Sequence, residues 1–103
     1  MTPQQQMAQI LKAFPYARQS GLRSFFTDWE PGVFDEWASG PDATETDKVI
    51  AAFILEIWGC GNETSWKWKT PPSSLRKICE TLSEEDRRPI IRYLEHPFIP
   101  VAL

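Results

Sequence analysis

The sequence predicts an all-α protein, a compact bundle of four to five short helices that forms a single domain over residues 1–103. Apolar residues recur at the three- and four-residue spacing of a helix in several segments. Capping residues and prolines bound those segments. A chain of 103 residues with an ordinary apolar fraction is long enough to bury one core.

The first helix is predicted to begin directly after Thr2, a favourable N-cap residue that is followed by Pro3 at the first helical position. Its apolar residues share one face and are Met7, Ile10, Leu11 and Phe14. Pro15 disfavours helical geometry in the residue before it, so the helix ends near Phe14. Another short helical piece is expected within residues 18–26.

The next two helices are separated by a stop signal at Gly40. A short helix before it is indicated by Val33, Phe34 and Trp37. After it, Thr44 is the expected N-cap of a helix over residues 45–58, which has acidic residues in its first turn. This helix is apolar on nearly all sides, which predicts that it is the central one. Gly59 is its expected end.

Residues 59–70 are predicted to form a long connection, with a short strand as an alternative at 65–69, and long connections are often functional. A helix is expected to restart at Thr70-Pro71. Its apolar residues follow helical spacing: Leu75, Ile78, Cys79 and Leu82.

The last helix is predicted over residues 84–95, with Ser83 as its cap and a kink or later start at Pro89. Its inward residues are expected to be Ile90, Ile91 and Leu94. The uncharged end, residues 97–103, is stiffened by prolines and is expected to pack back on the helices as an extended strap.

The net charge of −3 conceals an uneven distribution. Residues 1–27 carry three bases and no acid, whereas residues 28–63 carry nine acids and one base. Residues 64–103 carry seven bases and five acids. An acidic middle third of this kind either steers a basic partner or is a solvated face that the basic flanks neutralise within one fold.

Tryptophans lie within the acidic third, where every charged side chain in residues 28–47 is negative. Aromatic rings supply contact area, and the carboxylates around them select a partner of opposite charge. The candidate docking residues for a protein with a basic surface are Asp28, Trp29, Glu30, Asp35, Glu36 and Trp37. The alternative is that the aromatic side chains here belong to the core or its rim while the acids face solvent.

The segment Trp66-Lys67-Trp68-Lys69 alternates aromatic and basic side chains. In an extended chain both indoles point one way and both ammonium groups the other. Trp66 and Trp68 then cover the core, contact a protein partner, or stack on nucleic acid bases. The acidic total argues against nucleic acid. Trp58, by contrast, is expected in the core.

Residues that carry catalysis or bind metals are sparse. His96 is the single histidine, and Cys60 and Cys79 lack the spacing of a zinc site, so we expect free thiols, no metal and no cofactor. No Gly-rich phosphate loop or catalytic triad is recognisable, and we expect no enzyme. The N-terminus has no features of a secretory signal, and the longest apolar run is too short for a membrane span, so a cytoplasmic protein is expected.

The sequence therefore favours a small protein that acts by binding a macromolecule: an inhibitor, an antitoxin-like or immunity-like protein, or a regulatory subunit that docks a basic protein. A nucleic-acid-binding module that uses residues 66–69 with nearby arginines is the alternative, and a small-ligand or enzymatic domain is the second. The tryptophan content also suggests a homodimer through Trp66, Trp68 or residues 98–103.

Overall fold

The computed structural model describes residues 1–61 and 68–100, and within these ranges the chain forms five α-helices, two short 3-10 helices and no strand. The all-α prediction is confirmed. The 3-10 helices, Tyr16–Gln19 and Gly21–Phe25, connect the first two α-helices. In chain order the α-helices are α1 (Pro3–Lys12), α2 (Pro31–Ala38), α3 (Glu45–Gly61), α4 (Leu75–Thr81) and α5 (Glu84–Glu95).

Helix α3 is the centre of the fold, as its apolar sequence predicted, and it packs against α1, α2 and α4. Thr44 and Asp47 close a capping box, in which each side chain accepts a hydrogen bond from the other residue's backbone N–H at 3.1 and 2.9 Å. The predicted end at Gly59 is wrong, because the helix continues to Gly61. A glycine ends a helix by adopting a positive φ, and none of the described glycines does so.

The N-terminal part of the chain follows its capping signals. The Thr2 hydroxyl accepts from the N–H of Gln5 at 3.1 Å, and the Gln5 side chain accepts from the N–H of Thr2 at 2.8 Å. The helical piece expected within residues 18–26 is present as 3-10 turns. Gly21 lies so close to the Trp37 indole that a Cβ at this position would collide with the ring. The absence of a side chain at residue 21 therefore lets α2 pack closely.

The segment that leads into α4 departs from the prediction. Thr70 does not begin a helix; it is buried, and α4 starts only at Leu75, where the Ser74 hydroxyl accepts from the N–H of Lys77 at 3.1 Å. The expected apolar face of this helix is only partly buried. Leu82 is in the core, whereas Leu75 is 77% exposed and Cys79 lies at the surface.

Helix α5 is rotated relative to the prediction. Pro89 lies inside an uninterrupted helix and is buried, so the helix does not start late. Ile90 faces inward as expected, but Ile91 and Leu94 are 52% and 69% exposed, and their assignment to the core was wrong. Asp86 lies on the inward side together with Pro89 and Ile90; it is buried and accepts a hydrogen bond from the backbone N–H of Tyr16 at 3.0 Å.

The C-terminal strap is extended through Pro100, which is buried. The Tyr93 hydroxyl donates to the Phe98 carbonyl oxygen at 2.7 Å, and the two rings pack edge to face at 5.5 Å. The last residues, 101–103, lie outside the described part of the chain. Of the strand considered at 65–69, residues 65–67 also lie outside it, and Trp68 and Lys69 are not in a strand.

Candidate protein-binding surface

The described part of the chain contains seven of the eight predicted docking residues, and it distributes them between core and surface. Trp29 and Asp35 are buried, at 2% and 7% exposure. Trp66 lies outside the described residues. The exposed or partly exposed ones are Asp28, Glu30, Glu36, Trp37 and Trp68.

Asp35 fastens a distant segment to α2. Its two carboxylate oxygens accept hydrogen bonds from the backbone N–H groups of Lys69 and Thr70, at 2.9 and 2.8 Å. The Thr70 hydroxyl also lies 3.4 Å from the Asp35 carbonyl oxygen, to which it donates. The carboxylate therefore holds Lys69 and Thr70 against α2.

Two ion pairs join the acidic middle third to the basic C-terminal third. The Lys69 ammonium lies 2.6 Å from a Glu36 carboxylate oxygen, and the Lys77 ammonium lies 2.9 Å from one of Glu45. The hydrogen bond and charge of Glu36 raise the pKa of Lys69 above its ordinary value. The basic C-terminal third thus neutralises part of the acidic third within the fold. Both pairs are exposed, so each contributes little to stability.

Replacing Lys77 with glutamine is expected to raise the pKa of Glu45. The Lys77 hydrogen bond, and then its charge, hold that pKa below the ordinary carboxyl value. A lowered carboxyl pKa stabilises the fold above the ordinary pKa, and this contribution is lost as the pH falls through the lowered pKa. An NMR titration of the Glu45 carboxyl carbon measures the midpoint. Lys69→Gln is the matched control and is expected to leave the Glu45 midpoint unchanged. An unchanged midpoint in Lys77→Gln would contradict the ion pair between Lys77 and Glu45.

Other acids of the middle third remain available. Asp28, Glu30 and Asp42 are exposed and form no ion pair with any residue in the described ranges. Asp28 and Glu30 lie immediately before α2, in the segment that follows the second 3-10 helix. Their charges are therefore free to attract a partner.

The outer face of α2 continues from these acids. Val33 is 62% exposed. It shares a shallow, open depression of about 570 Å³ with Gly32, Glu36 and Trp37. The Trp37 ring is partly buried and packs on Phe25 at a centroid distance of 5.9 Å. We use the name acidic-aromatic surface for five exposed or partly exposed residues: Asp28, Glu30, Val33, Glu36 and Trp37.

A groove of about 790 Å³ lies beside the acidic-aromatic surface, between α1 and residues 26–30. We call it the α1 groove. One wall is polar and comes from the outside of α1, with Gln4, Gln5, Gln9 and Lys12. The other wall includes the carboxylates of Asp28 and Glu30 and the rings of Phe26 and Trp29. Sequence reasoning missed the glutamine wall, although the clustered glutamines on the non-core side of α1 were a visible signal.

The Trp29 indole has an unusual environment. Its ring packs against Trp58 and Phe34 at centroid distances of 5.1 and 5.4 Å, which makes it part of the core. Its Nε1 atom is buried and has no hydrogen-bond partner within residues 1–61 and 68–100. A buried donor without a partner costs about 1–3 kcal/mol, so most buried indoles find an acceptor.

Trp68 is packed partly against the core cluster, as the core-covering interpretation expected. It lines a hollow of about 480 Å³ together with Leu55, Glu56 and Pro71. Trp58, the other tryptophan of this region, is 7% exposed and belongs to the core, as predicted. The nucleic-acid alternative needs Trp68 to stack on bases and Lys69 to meet phosphate, and Lys69 is already paired with Glu36.

Large exposed apolar side chains also occur away from the acidic-aromatic surface, on α4, α5 and the strap. They are Leu75, Ile91, Leu94, Phe98 and Ile99. Phe98 and Ile99 belong to residues 98–103, for which the sequence predicts a homodimer contact, and the other three add exposed apolar area in the C-terminal third of the chain. The homodimer stays a prediction.

Comparison of the chain with protein-family models, with curated proteins and with solved structures finds no significant match. Within residues 1–61 and 68–100, no helix has the length and apolar character needed to cross a membrane. The same ranges contain no group of three or more histidine, cysteine or acidic side chains placed to hold a metal ion.

Proposed function

We propose that this protein acts by binding a basic protein through the acidic-aromatic surface, as an inhibitor, an antitoxin-like or immunity-like protein, or a regulatory subunit. The observation that carries the proposal is the unpaired state of Asp28 and Glu30, next to the exposed Val33 and the partly exposed Trp37. Carboxylates beside apolar side chains offer a partner both attraction of opposite charge and apolar contact area.

The charge distribution supports a basic partner in particular. Glu36 and Glu45 are neutralised by lysines of the same chain, while Asp28, Glu30 and Asp42 are not. Asp28 and Glu30 lie immediately before α2 and give the start of this helix a negative potential. Such a field speeds the encounter with a positively charged protein and rejects acidic ones. The aromatic and aliphatic side chains beside the acids then supply the apolar contact that slows dissociation.

The double variant Asp28→Lys/Glu30→Lys is expected to weaken partner binding about a hundredfold, because like charges then face each other across the interface. The variant protein and the unmodified chain are each used to capture partners from cells that produce the protein. Captured proteins are identified by mass spectrometry, and affinities are then measured with the purified partner. Both replaced side chains are exposed, so the fold is expected to survive, which circular dichroism checks.

The matched control is Glu56→Lys/Glu95→Lys, which changes the net charge equally at two exposed acids outside the acidic-aromatic surface. Retained capture by this control, with loss in Asp28→Lys/Glu30→Lys, supports the proposal. Equal losses in both variants indicate attraction by net charge alone and contradict a defined surface. A captured partner with an acidic surface also contradicts it.

A further inference from the structure

The α1 groove shares Asp28 and Glu30 with the acidic-aromatic surface but is built differently from the outer face of α2. Its volume of about 790 Å³ lies within the range of sites that bind small molecules or short peptide segments. Both walls are formed by described residues, and each wall carries groups that make hydrogen bonds. The outer face of α2, by contrast, is a shallow and mainly apolar depression. The two regions therefore suit different parts of a partner.

We propose that the α1 groove binds an extended, lysine- or arginine-containing segment of the partner, and that the Trp29 indole N–H donates to a main-chain carbonyl oxygen of that segment. This inference rests on the proposed function, because it specifies what the same partner presents beside the acidic-aromatic surface.

The first support is the indole of Trp29. Trp29 is among the residues that line the groove, it is only 2% exposed, and its Nε1 atom has no hydrogen-bond partner among the described residues. An acceptor that arrives with a ligand removes the penalty of the unpaired donor, so the unpaired state favours binding. Neutral peptide carbonyls are the acceptors that an extended segment presents at regular intervals.

The second support is the composition of the α1 wall. Gln4, Gln5 and Gln9 carry primary amides, each of which both donates and accepts, as peptide groups do. The Oε1 atom of Gln5 is engaged in the capping box, so Gln4 and Gln9 are the freer pair. Glutamine side chains are flexible. They can move aside to let a segment reach the Trp29 Nε1 atom, which is closed to solvent in the unbound chain.

The third support is the charge of the facing wall. Asp28 and Glu30 line the groove without an ion pair to a described residue, while Lys12 is the one cation among its lining side chains. A cationic side chain of the bound segment contacts the two carboxylates, and the backbone of the segment lies along the glutamines. A free polyamine would satisfy the carboxylates but would offer no carbonyl to the indole.

The test uses a short peptide of alternating lysine and glycine, acetylated and amidated at its ends, and spermine as a cation without carbonyl groups. Proton–nitrogen NMR spectra follow the tryptophan indole signals, and Trp29→Phe assigns the relevant one. Up to about 1 mM peptide, the Trp29 indole signal is expected to move downfield while that of Trp58 stays in place. Spermine is expected to leave the Trp29 signal unmoved. An unmoved Trp29 signal with the peptide, or an equal shift with spermine, overturns the inference.

A pair of glutamine variants tests how much the α1 wall contributes to peptide binding, and neither variant changes a core residue. Gln9→Ala is expected to weaken peptide binding about threefold to tenfold, since one or two hydrogen bonds are lost. Gln19→Ala, at an exposed glutamine outside the groove, is the matched control and is expected to bind normally. Equal affinities for Gln9→Ala and the unmodified chain overturn the role of the wall.

The outcomes separate this inference from the proposed function. If Asp28→Lys/Glu30→Lys abolishes capture of the partner while neither Gln9→Ala nor the Trp29 signal responds, the acidic-aromatic surface is correct and the groove is not the segment site. If Asp28→Lys/Glu30→Lys captures the partner normally, the proposed function itself fails.

Discussion

Replacing Asp35 with alanine is expected to lower the free energy of unfolding by about 3 kcal/mol. The carboxylate accepts from two backbone N–H groups, those of Lys69 and Thr70, and Thr70 is itself buried. Alanine leaves these donors without their acceptors in a place that water reaches poorly, and an unpaired buried donor costs more than the bond itself contributed. Chemical denaturation followed by tryptophan fluorescence measures the change.

The control for this prediction is Asp35→Asn, because asparagine has nearly the same shape as aspartate and keeps one carbonyl oxygen as an acceptor. The decrease in the free energy of unfolding is expected to be about half as large, since one backbone N–H retains an acceptor while the other faces the amide NH2 group, which cannot accept. Glu36→Ala, next in the chain, removes only an exposed ion pair and is expected to change stability by less than about 1 kcal/mol. Equal effects at Asp35 and Glu36 would contradict the structural role of the buried carboxylate.

Replacing Phe34 with alanine is expected to be the most damaging single change, at about 3–5 kcal/mol. This side chain is fully buried and lies at the middle of the aromatic cluster, with ring centroids 5.0 Å from Phe25 and 5.4 Å from Trp29. Alanine removes the transfer free energy of the ring and leaves a cavity that the rigid neighbouring rings cannot fill. Thermal or chemical unfolding is the measurement.

Val33 supplies the matched control, because it precedes Phe34 on the same helix but is 62% exposed. Val33→Ala is expected to change stability by less than about 0.5 kcal/mol, since alanine also has the higher helix propensity. The same variant is expected to weaken partner binding, because Val33 belongs to the acidic-aromatic surface. Destabilisation by Val33→Ala that equals that of Phe34→Ala would contradict the orientation of α2.

The sequence was most informative where structure is local. Thr2, Thr44 and Ser83 were identified as caps, and each accepts a backbone hydrogen bond at the start of its helix. A cap is recognisable because its partner lies three residues away, within the same short segment. The central position of α3 followed equally directly from a helix with almost no polar side.

Long-range hydrogen bonds explain where the sequence misled. Asp35 lies between Phe34 and Ala38 on the buried face of α2. The two N–H groups from which it accepts belong to Lys69 and Thr70, which follow it by 34 and 35 positions in the chain. Asp86 likewise accepts from the N–H of Tyr16, 70 positions away, and Ile91 on the same helix faces outward. A pattern of apolar spacing treats such aspartates as solvent-facing, although each is nearly buried.

The candidate site was predictable only in part. The exposed acids Asp28, Glu30 and Glu36 lie at the surface, in keeping with their charge and their position outside the apolar spacing. The α1 groove arises from the packing of α1 against residues 26–30, and neither segment alone indicates a concave surface. Trp29 is a predicted contact residue, and the structure places it beneath the surface. It is among the residues that line the groove, and its buried indole N–H has no acceptor among the described residues.

The most direct test of the docking surface is an NMR map of the complex with the captured basic partner. Backbone amide signals that shift or broaden on binding are expected to concentrate in residues 26–37, with a second group on the outer side of α1. Signals of α4 and α5 are expected to stay in place. Perturbations confined to α4, α5 and the strap, with residues 26–37 unchanged, would contradict the account and place the partner on the exposed apolar side chains of the C-terminal half.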